Sequence, residues 1–230
     1  MFNTNNLGGW IIPAGTEIAD KTKIPSYSEI GDRCTIGSDC TIGSDCTIGD
    51  RFTIGAGCAI GNYCTIGNYC TIGYGCTIGD GCKIGYGCTI GDGCTIGDYC
   101  KIGNRCTIGD YCTIGDRCTI SYGCTIGSDC TIGAGCAIGD GCTIGDRFTI
   151  GDGCTIGDDC TWLGVKVKSW LTLANVDGSN RQIKVVRSDE GEIKIEAGCF
   201  IGTLDEFIAK AKSEGKLRYV AVIGAIAEHV

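Results

Sequence analysis

Cysteine, the most reactive side chain in this 230-residue sequence, is also one of its most frequent, with 21 copies. Histidine, the usual catalytic partner of cysteine, occurs once. Twenty of the cysteines, from Cys34 to Cys160, recur at multiples of six residues in the unit C-T-I-G-x-x, and Cys199 stands apart. A zinc site needs open thiolates that converge at ligand spacing, and a C-x5-C repeat does not provide them. We therefore predict no metal site, and buried, reduced cysteines that pack as small apolar residues.

The remaining candidates for catalysis are few. His229 is the penultimate residue, and Cys199 has no histidine partner in the sequence, so we expect Cys199 to pack. Asp80, Asp98 and Asp116 occupy the same position in every third unit; if stacked, they could raise one another's pKa or bind calcium, but we favour a solvated acidic ridge. The sequence contains no P-loop and no dinucleotide-binding fingerprint. We predict no catalytic residue and no cofactor.

The six-residue unit determines the predicted fold. Isoleucine recurs every six residues from Ile18 to Ile156, which gives 24 units without an insertion. Glycine follows isoleucine in the unit, and because interior glycine costs a helix about 1 kcal/mol per residue, a helix is excluded. Cys and Ile face one way and Thr the other, and G-x-x turns the chain. We predict a parallel β-solenoid with three strands to a coil and about eight coils.

This unit resembles that of the hexapeptide-repeat family, in which an aliphatic residue follows a small residue by two positions and often precedes glycine. The resemblance covers residues 12–162. It implies a left-handed parallel β-helix of triangular cross-section and a homotrimer of prisms packed side by side. Family members that are acyltransferases use a histidine base and substrate-binding loops. Residues 1–228 contain no histidine and no loop interrupts the units, so we predict no enzyme.

Corresponding residues of every third unit should stack in columns, with Phe52 and Phe148 replacing cysteine in two inner positions. The outward threonines define three faces: the first face is unbroken, the second contains Ala59, and the third carries Lys83, Lys101 and Ala137. Tyrosines occupy corners of the middle coils, and exposed tyrosine is enriched at interfaces. A solvated surface and drift among duplicated units are the alternatives. The predicted contact surface comprises Thr35, Thr53, Thr71, Thr89, Thr107, Thr125, Thr143, Tyr63, Tyr69, Tyr74, Tyr86, Tyr99, Tyr111 and Tyr122.

We predict three segments: an N-terminal cap over residues 1–17, the solenoid over 18–162, and a small α+β domain over 163–230 with the order β-β-β-α-β. Its strands are expected at 166–176, 181–187 (the alternating segment RQIKVVR), 192–197 and 217–223, with a turn at Asp177–Gly178 between the first two. Thr203 and Glu206 form a capping-box pattern that starts a helix, which Gly215 ends. The segments TLANVDGSNRQI and EAGCFIGTLDEF resemble parts of uncharacterised bacteriophage-type proteins, and this resemblance implies no activity.

Charge is concentrated in the repeat. Residues 31–160 hold 15 aspartates against 7 lysines and arginines, so this segment carries the whole formal charge of −8. An acidic surface disfavours nucleic acid as a partner. The sequence shows no apolar stretch of membrane-spanning length and no signal peptide, so we expect a cytoplasmic or virion-associated protein without a membrane partner.

These observations favour a non-enzymatic structural or protein-interaction protein, a rigid β-helical rod that is phage-encoded and forms a homo-oligomer, with a trimer preferred. An acidic protein that binds and inhibits a host factor is the first alternative. A degenerate member of the acyltransferase superfamily and an ice-binding threonine face are the others.

Overall fold

The computed structural model describes residues 2–174, 176 and 182–227. The chain divides into two compact units, Met1–Gly157 and Asp158–Val230. The first unit is a parallel β-solenoid of about eight coils and the second is a small domain of strands and two helices, so the predicted fold class is confirmed.

The strands of the solenoid are two to three residues long and form three sheets, one for each face. The first face consists of Glu17–Ile18, Thr35–Ile36, Thr53–Ile54, Thr71–Ile72, Thr89–Ile90, Thr107–Ile108, Thr125–Ile126 and Thr143–Ile144. The second face consists of Lys23–Ile24, Thr41–Ile42, Ala59–Ile60, Thr77–Ile78, Thr95–Ile96, Thr113–Ile114, Thr131–Ile132 and Thr149–Ile150. The third face consists of Asn3–Thr4, Trp10–Ile12, Glu29–Ile30, Thr47–Ile48, Thr65–Ile66, Lys83–Ile84, Lys101–Ile102, Thr119–Ile120, Ala137–Ile138 and Thr155–Ile156.

Strands of one face pair in parallel and in register from one coil to the next, as in Thr71 with Thr89 and Ile72 with Ile90. Because successive strand residues point to opposite sides, each isoleucine lies in the interior and each residue before it points outward. The N-terminal segment adds to the third face: Ile12 pairs with Ile30, and Asn3–Thr4 pairs antiparallel with Trp10–Ile12. The interior column of isoleucines therefore begins at Ile12, which is buried.

Glycine after isoleucine allows the coils to stack closely. A Cβ atom on Gly97 would lie 2.7 Å from the backbone nitrogen of Asp80 in the preceding coil, a distance that Cβ atoms do not adopt without displacing the neighbour. The exceptions fit this cause, because Ala19 and Pro25 follow the first strands of the first and second faces. Ser121 is a tolerated exception within the stack. The strict spacing of the repeat is therefore a packing requirement.

Each corner also needs one residue with positive φ. The last residue of the unit takes it, as in Tyr63 at +60°, Tyr99 at +58° and Gly93 at +64°. This conformation favours glycine but is open to other residues when the surroundings fix it. A Cβ added at this position in Gly75 or Gly93 would meet nothing within 4 Å, so this position admits many residue types, whereas the position after isoleucine is nearly always glycine.

The cysteine thiols form hydrogen bonds as well as packing contacts. The Cys88 Sγ donates to the carbonyl oxygen of Gly67 at 3.2 Å and accepts from the backbone N–H of Cys70 at 3.4 Å. Similar bonds join Cys58 to Gly37 and to the N–H of Cys40. Among the 20 repeat cysteines, 19 are buried and Cys154 is partly buried, and all are free thiols. The interior sulfur atoms thus satisfy backbone groups that would otherwise lack a partner.

In its described residues the C-terminal unit has five strands that pair antiparallel in chain order, followed by two helices: Thr161–Trp162, Val165–Ala174, Gln182–Ser188, Ile193–Ala197, Phe200–Thr203, Leu204–Ser213 and Leu217–Ala227. The capping box is confirmed, because Thr203 N donates to Glu206 Oε2 at 2.8 Å and Glu206 N donates to Thr203 Oγ1 at 3.3 Å. The turn predicted at Asp177–Gly178 lies outside the described residues.

One prediction for this unit was wrong, and one strand was not predicted. Residues 217–223 are part of a helix, not a strand, and Phe200–Thr203 is a strand that the sequence pattern did not indicate. The β-branched residues of LRYVAVI favour a strand locally, but Tyr219, Ile223 and Ala227 lie four residues apart and are all buried. Burial of that stripe against the sheet and the Leu204–Ser213 helix overrides the local preference.

A buried ion pair lies on this sheet. Lys184 and Glu196 are cross-strand neighbours, their charged groups contact each other, and their side chains are 5% and 4% exposed. Removing one partner would leave a buried charge uncompensated, which is strongly destabilising. The alternation of RQIKVVR predicted the strand but not the burial of its lysine.

We expect native thiol labelling to modify Cys199 rapidly and the repeat cysteines slowly. Cys199 is exposed, whereas the repeat cysteines are shielded from the reagent by packing, and at Cys58 burial also raises the pKa of the thiol to about 11. The thiolate is the reactive form. Iodoacetamide at pH 8 followed by peptide mass spectrometry measures the rates. A Cys199→Ser variant should lose the fast phase. Fast modification of most of the 21 cysteines without denaturant would contradict the packed core.

Substitution of the two corner glycines should separate packing from backbone conformation. Gly97→Ala places a Cβ against the preceding coil and should cost about 1–3 kcal/mol, the usual range for overpacking. Gly93→Asn should change stability by less than about 0.5 kcal/mol, because asparagine tolerates positive φ and a Cβ there meets nothing within 4 Å. Thermal unfolding of both variants tests this, and equal midpoints would refute the packing explanation.

Candidate contact surface

The first face presents a regular column of threonines. Thr35, Thr53, Thr71, Thr89, Thr107, Thr125 and Thr143 all point outward, are exposed, and pair in register with their neighbours. Adjacent strands in a sheet lie about 4.8 Å apart, so the methyl and hydroxyl groups repeat at that interval. The column offers a flat surface of short side chains that another flat surface can approach closely.

Tyrosines lie along the corners of the same coils. Tyr69, Tyr86 and Tyr122 occupy the corner between the third and first faces, and Tyr74 and Tyr111 occupy the corner between the first and second faces. Tyr63 and Tyr99 occupy the remaining corner. Six of the seven are exposed, by 54–70%, and Tyr86 is partly buried. Five of the seven predicted tyrosines therefore border the first face.

Several of these rings lie along the stack and contact the next coil. Tyr69 and Tyr86 meet edge to face, with ring centroids 5.4 Å apart. Arg105 donates to the Tyr86 hydroxyl at 3.1 Å, and Arg117 donates to that of Tyr99. These contacts hold the rings in place, which reduces the entropy that a partner must remove on binding.

Sequence reasoning missed the arginine–tyrosine pairs. Their signal was available, because Arg105 and Arg117 each follow their tyrosine by about the length of one coil. Each guanidinium also lies over its ring, 5.9 Å from the Tyr86 centroid and 5.5 Å from the Tyr99 centroid. A cation over an aromatic face adds to the stability of the corner.

The third face differs by its two lysines. Lys83 and Lys101 are exposed and pair in register on adjacent parallel strands. Like charges at directly opposite positions are destabilising, and burying either ammonium group in a contact would add a desolvation cost. The third face shares a tyrosine corner with the first face but is less suited to close contact.

The aspartates of the acidic ridge bind backbone. Asp80 Oδ1 accepts the N–H of Asp98 at 2.9 Å, Asp98 Oδ1 accepts that of Asp116 at 2.7 Å, and Asp116 Oδ1 accepts that of Ala134 at 2.7 Å. Asn62 Oδ1 accepts the N–H of Asp80 in the same way, so an uncharged amide can replace the carboxylate here. Each carboxylate therefore has a structural role in joining coils, whichever ions surround it.

The corners also contain an exposed ion pair between an arginine and an aspartate. Arg147 donates to both carboxylate oxygens of Asp129, at 2.9 and 2.7 Å. These hydrogen bonds hold the pKa of Asp129 below its ordinary value. The pair bridges two successive coils, but as an exposed pair it contributes little to stability.

The candidates for other chemistry are dispersed. Within residues 2–174, 176 and 182–227, no group of three or more His, Cys, Asp and Glu side chains is arranged to hold a metal ion. His229 lies outside the described residues. The expectation that Cys199 packs was wrong: it is exposed at a two-residue hairpin turn between Ile193–Ala197 and Phe200–Thr203. In the described part of the chain no helix is long and apolar enough to cross a bilayer.

Three family models match the chain. One described as the GMPPB C-terminal domain matches residues 8–121, one described as bacterial transferase hexapeptide (six repeats) matches residues 105–140, and one described as the hexapeptide repeat of succinyl-transferase matches residues 147–169. These matches lie before residue 170, so they do not show the resemblance of the C-terminal part to bacteriophage-type proteins.

No curated protein and no solved structure gives a significant match to the chain. Similarity to known proteins therefore rests on the six-residue unit, on its stacking in register from coil to coil, and on the two hexapeptide models that match it. The repeat of this chain is therefore a hexapeptide repeat, similar over residues 105–140 and 147–169 to those of the two hexapeptide models.

Proposed function

We propose that the chain is a non-enzymatic structural or protein-interaction protein that associates with further copies of itself through the first face of the solenoid. The observation that carries this proposal is the combination of an unbroken, exposed threonine column with five corner tyrosines on its two sides. Tyrosine supplies apolar contact area with a polar tip, and threonine allows close approach of the strands.

The preference for the first face rests on its composition. Its middle rungs, Thr71, Thr89, Thr107 and Thr125, carry no charge, whereas the third face would bury Lys83 and Lys101. The second face loses one threonine at Ala59. A flat uncharged surface with held aromatic rings at its rim costs least to desolvate and to order.

We favour a closed homotrimer, which is supported by the similarity of the repeat to that of the hexapeptide-repeat family and by this surface. A three-fold ring closes through heterologous contacts, in which two different patches of each chain meet, and the tyrosine corners on the two sides of the first face provide two such patches. The abundance of free thiols favours a reducing compartment, such as the cytoplasm or the interior of a virion.

A transferase is the second candidate, because two of the matching models carry that word in their descriptions. The sequence departs from the acyltransferase pattern, since residues 1–228 contain no histidine to act as a general base. Binding of acetyl-CoA measured by calorimetry distinguishes the two: saturable binding would support the transferase and weaken the proposal of a purely structural role.

Arginine substitutions should break the oligomer when they lie on the first face. Thr89→Arg with Thr107→Arg places two charges in the proposed contact, where desolvation costs several kcal/mol, so the dissociation constant should rise more than about tenfold. Light scattering should report three times the mass of a single chain for the native protein and a smaller mass for this variant.

The matched control is Thr95→Arg with Thr113→Arg, which introduces the same charges at equivalent exposed positions of the second face. It should leave the mass unchanged. Equal dissociation of both variants would show that charge alone matters, and a native mass equal to that of one chain would refute self-association.

Salt should strengthen the oligomer. Each chain carries a formal charge of −8, so copies repel one another, and added salt screens that repulsion within a Debye length of about 8 Å at 0.15 M. We expect the dissociation constant from sedimentation to fall between about 0.02 and 0.2 M sodium chloride. A rise over this range would show that attraction between opposite charges dominates the contact instead.

A further inference from the structure

A cavity of about 200 Å³ lies inside the C-terminal unit, at one end of its sheet. The cavity is bordered by the Gly198–Cys199 hairpin turn, by the start of the Gln182–Ser188 strand and by the junction of the two helices. Pockets for small molecules combine an apolar lining with a few placed polar groups, and this cavity has both.

The apolar wall is aromatic. Phe200 and Phe207 pack with ring centroids 5.4 Å apart, and Tyr219 meets Phe207 at 6.1 Å and nearly perpendicular. Phe207 and Tyr219 are buried, while Ile183 closes the floor as part of the unit's core. Rings fixed in this way provide a face and edges against which a planar apolar group can pack.

The polar side of the cavity is positive. The Nζ of Lys210 lies 5.5 Å from the Phe200 centroid, at the rim of the aromatic wall. Lys216 also lines the cavity and contacts Glu214 at 2.7 Å. The Leu204–Ser213 helix ends here and the Leu217–Ala227 helix begins here, so their opposite dipole ends largely offset each other and the positive charge comes from the two lysines. The charged residues that line the cavity are thus two lysines and one glutamate.

We propose that this cavity binds a small organic anion with an aromatic body, of the benzoate type. The ring packs against Phe200, Phe207 and Tyr219, and the carboxylate is bound by Lys210. A bound ring would lie beside Cys199, which also lines the cavity and is the exposed cysteine of the chain. This inference concerns the C-terminal unit and is independent of the proposed contact surface.

The rate at which iodoacetamide alkylates Cys199 reports whether the cavity is occupied. The full-length protein can be used, because the repeat cysteines are buried and should react slowly. Sodium benzoate should slow this reaction in a saturable manner, and benzamide, which has the same ring without the charge, should protect at least about tenfold less tightly. Benzoate should also shift backbone amide resonances of residues around the cavity.

Lys210→Gln should weaken benzoate binding about tenfold, and Lys212→Gln is the matched control, since Lys212 is on the same helix turn but outside the cavity lining. Both positions are exposed, so both variants should fold. Absence of saturable protection at millimolar benzoate would overturn the proposal. Equal protection by benzamide, or equal effects of the two lysine variants, would overturn the role assigned to the ammonium group.

Discussion

The close approach of successive coils at the corners is the constraint on which the rest of the solenoid depends. Gly97, which follows isoleucine, lies so near the backbone of the preceding coil that a Cβ would meet Asp80 N at 2.7 Å. This approach brings the corresponding strands of successive coils into register, stacks the isoleucines and aligns every outward side chain. A strict period of six in the sequence follows from this one contact, because an inserted residue would move a bulky group into it.

Close stacking also decides which polar side chains the corners and the interior can use. Backbone N–H groups that have no strand partner must find acceptors elsewhere. Asp98 supplies one with its Oδ1 and Cys88 supplies another with its sulfur. Aspartate at the corner and cysteine in the core are thus parts of the hydrogen-bonding scheme, and their abundance does not by itself indicate a metal site or a catalytic thiol.

The outer surface of the solenoid has the same regular order as its interior. A regular interior places threonines in a column on the outside. At each corner the last residue of the unit takes positive φ and can be tyrosine or arginine, as in Tyr69 and Arg105, and the residue before it can also be tyrosine, as in Tyr86. Arg105 and Tyr86 then pair across one coil. The feature proposed as a contact surface is therefore built from positions that the stacking leaves unconstrained, which is where a repeat protein can vary without losing its fold. The C-terminal unit is not built from repeats, and its cavity lies where two helices meet one end of a sheet.

The sequence by itself determined the solenoid, its three faces and the inward direction of the cysteines, because a six-residue period with glycine has few structural solutions. It also determined the helix at Thr203, whose capping box is local. Tertiary structure decided the rest. Residues 217–223 became helical since Tyr219 and Ile223 are buried together, Cys199 was exposed by its hairpin turn, and Lys184 was buried with Glu196. Each of these depends on contacts between segments distant in sequence, which local preference does not encode.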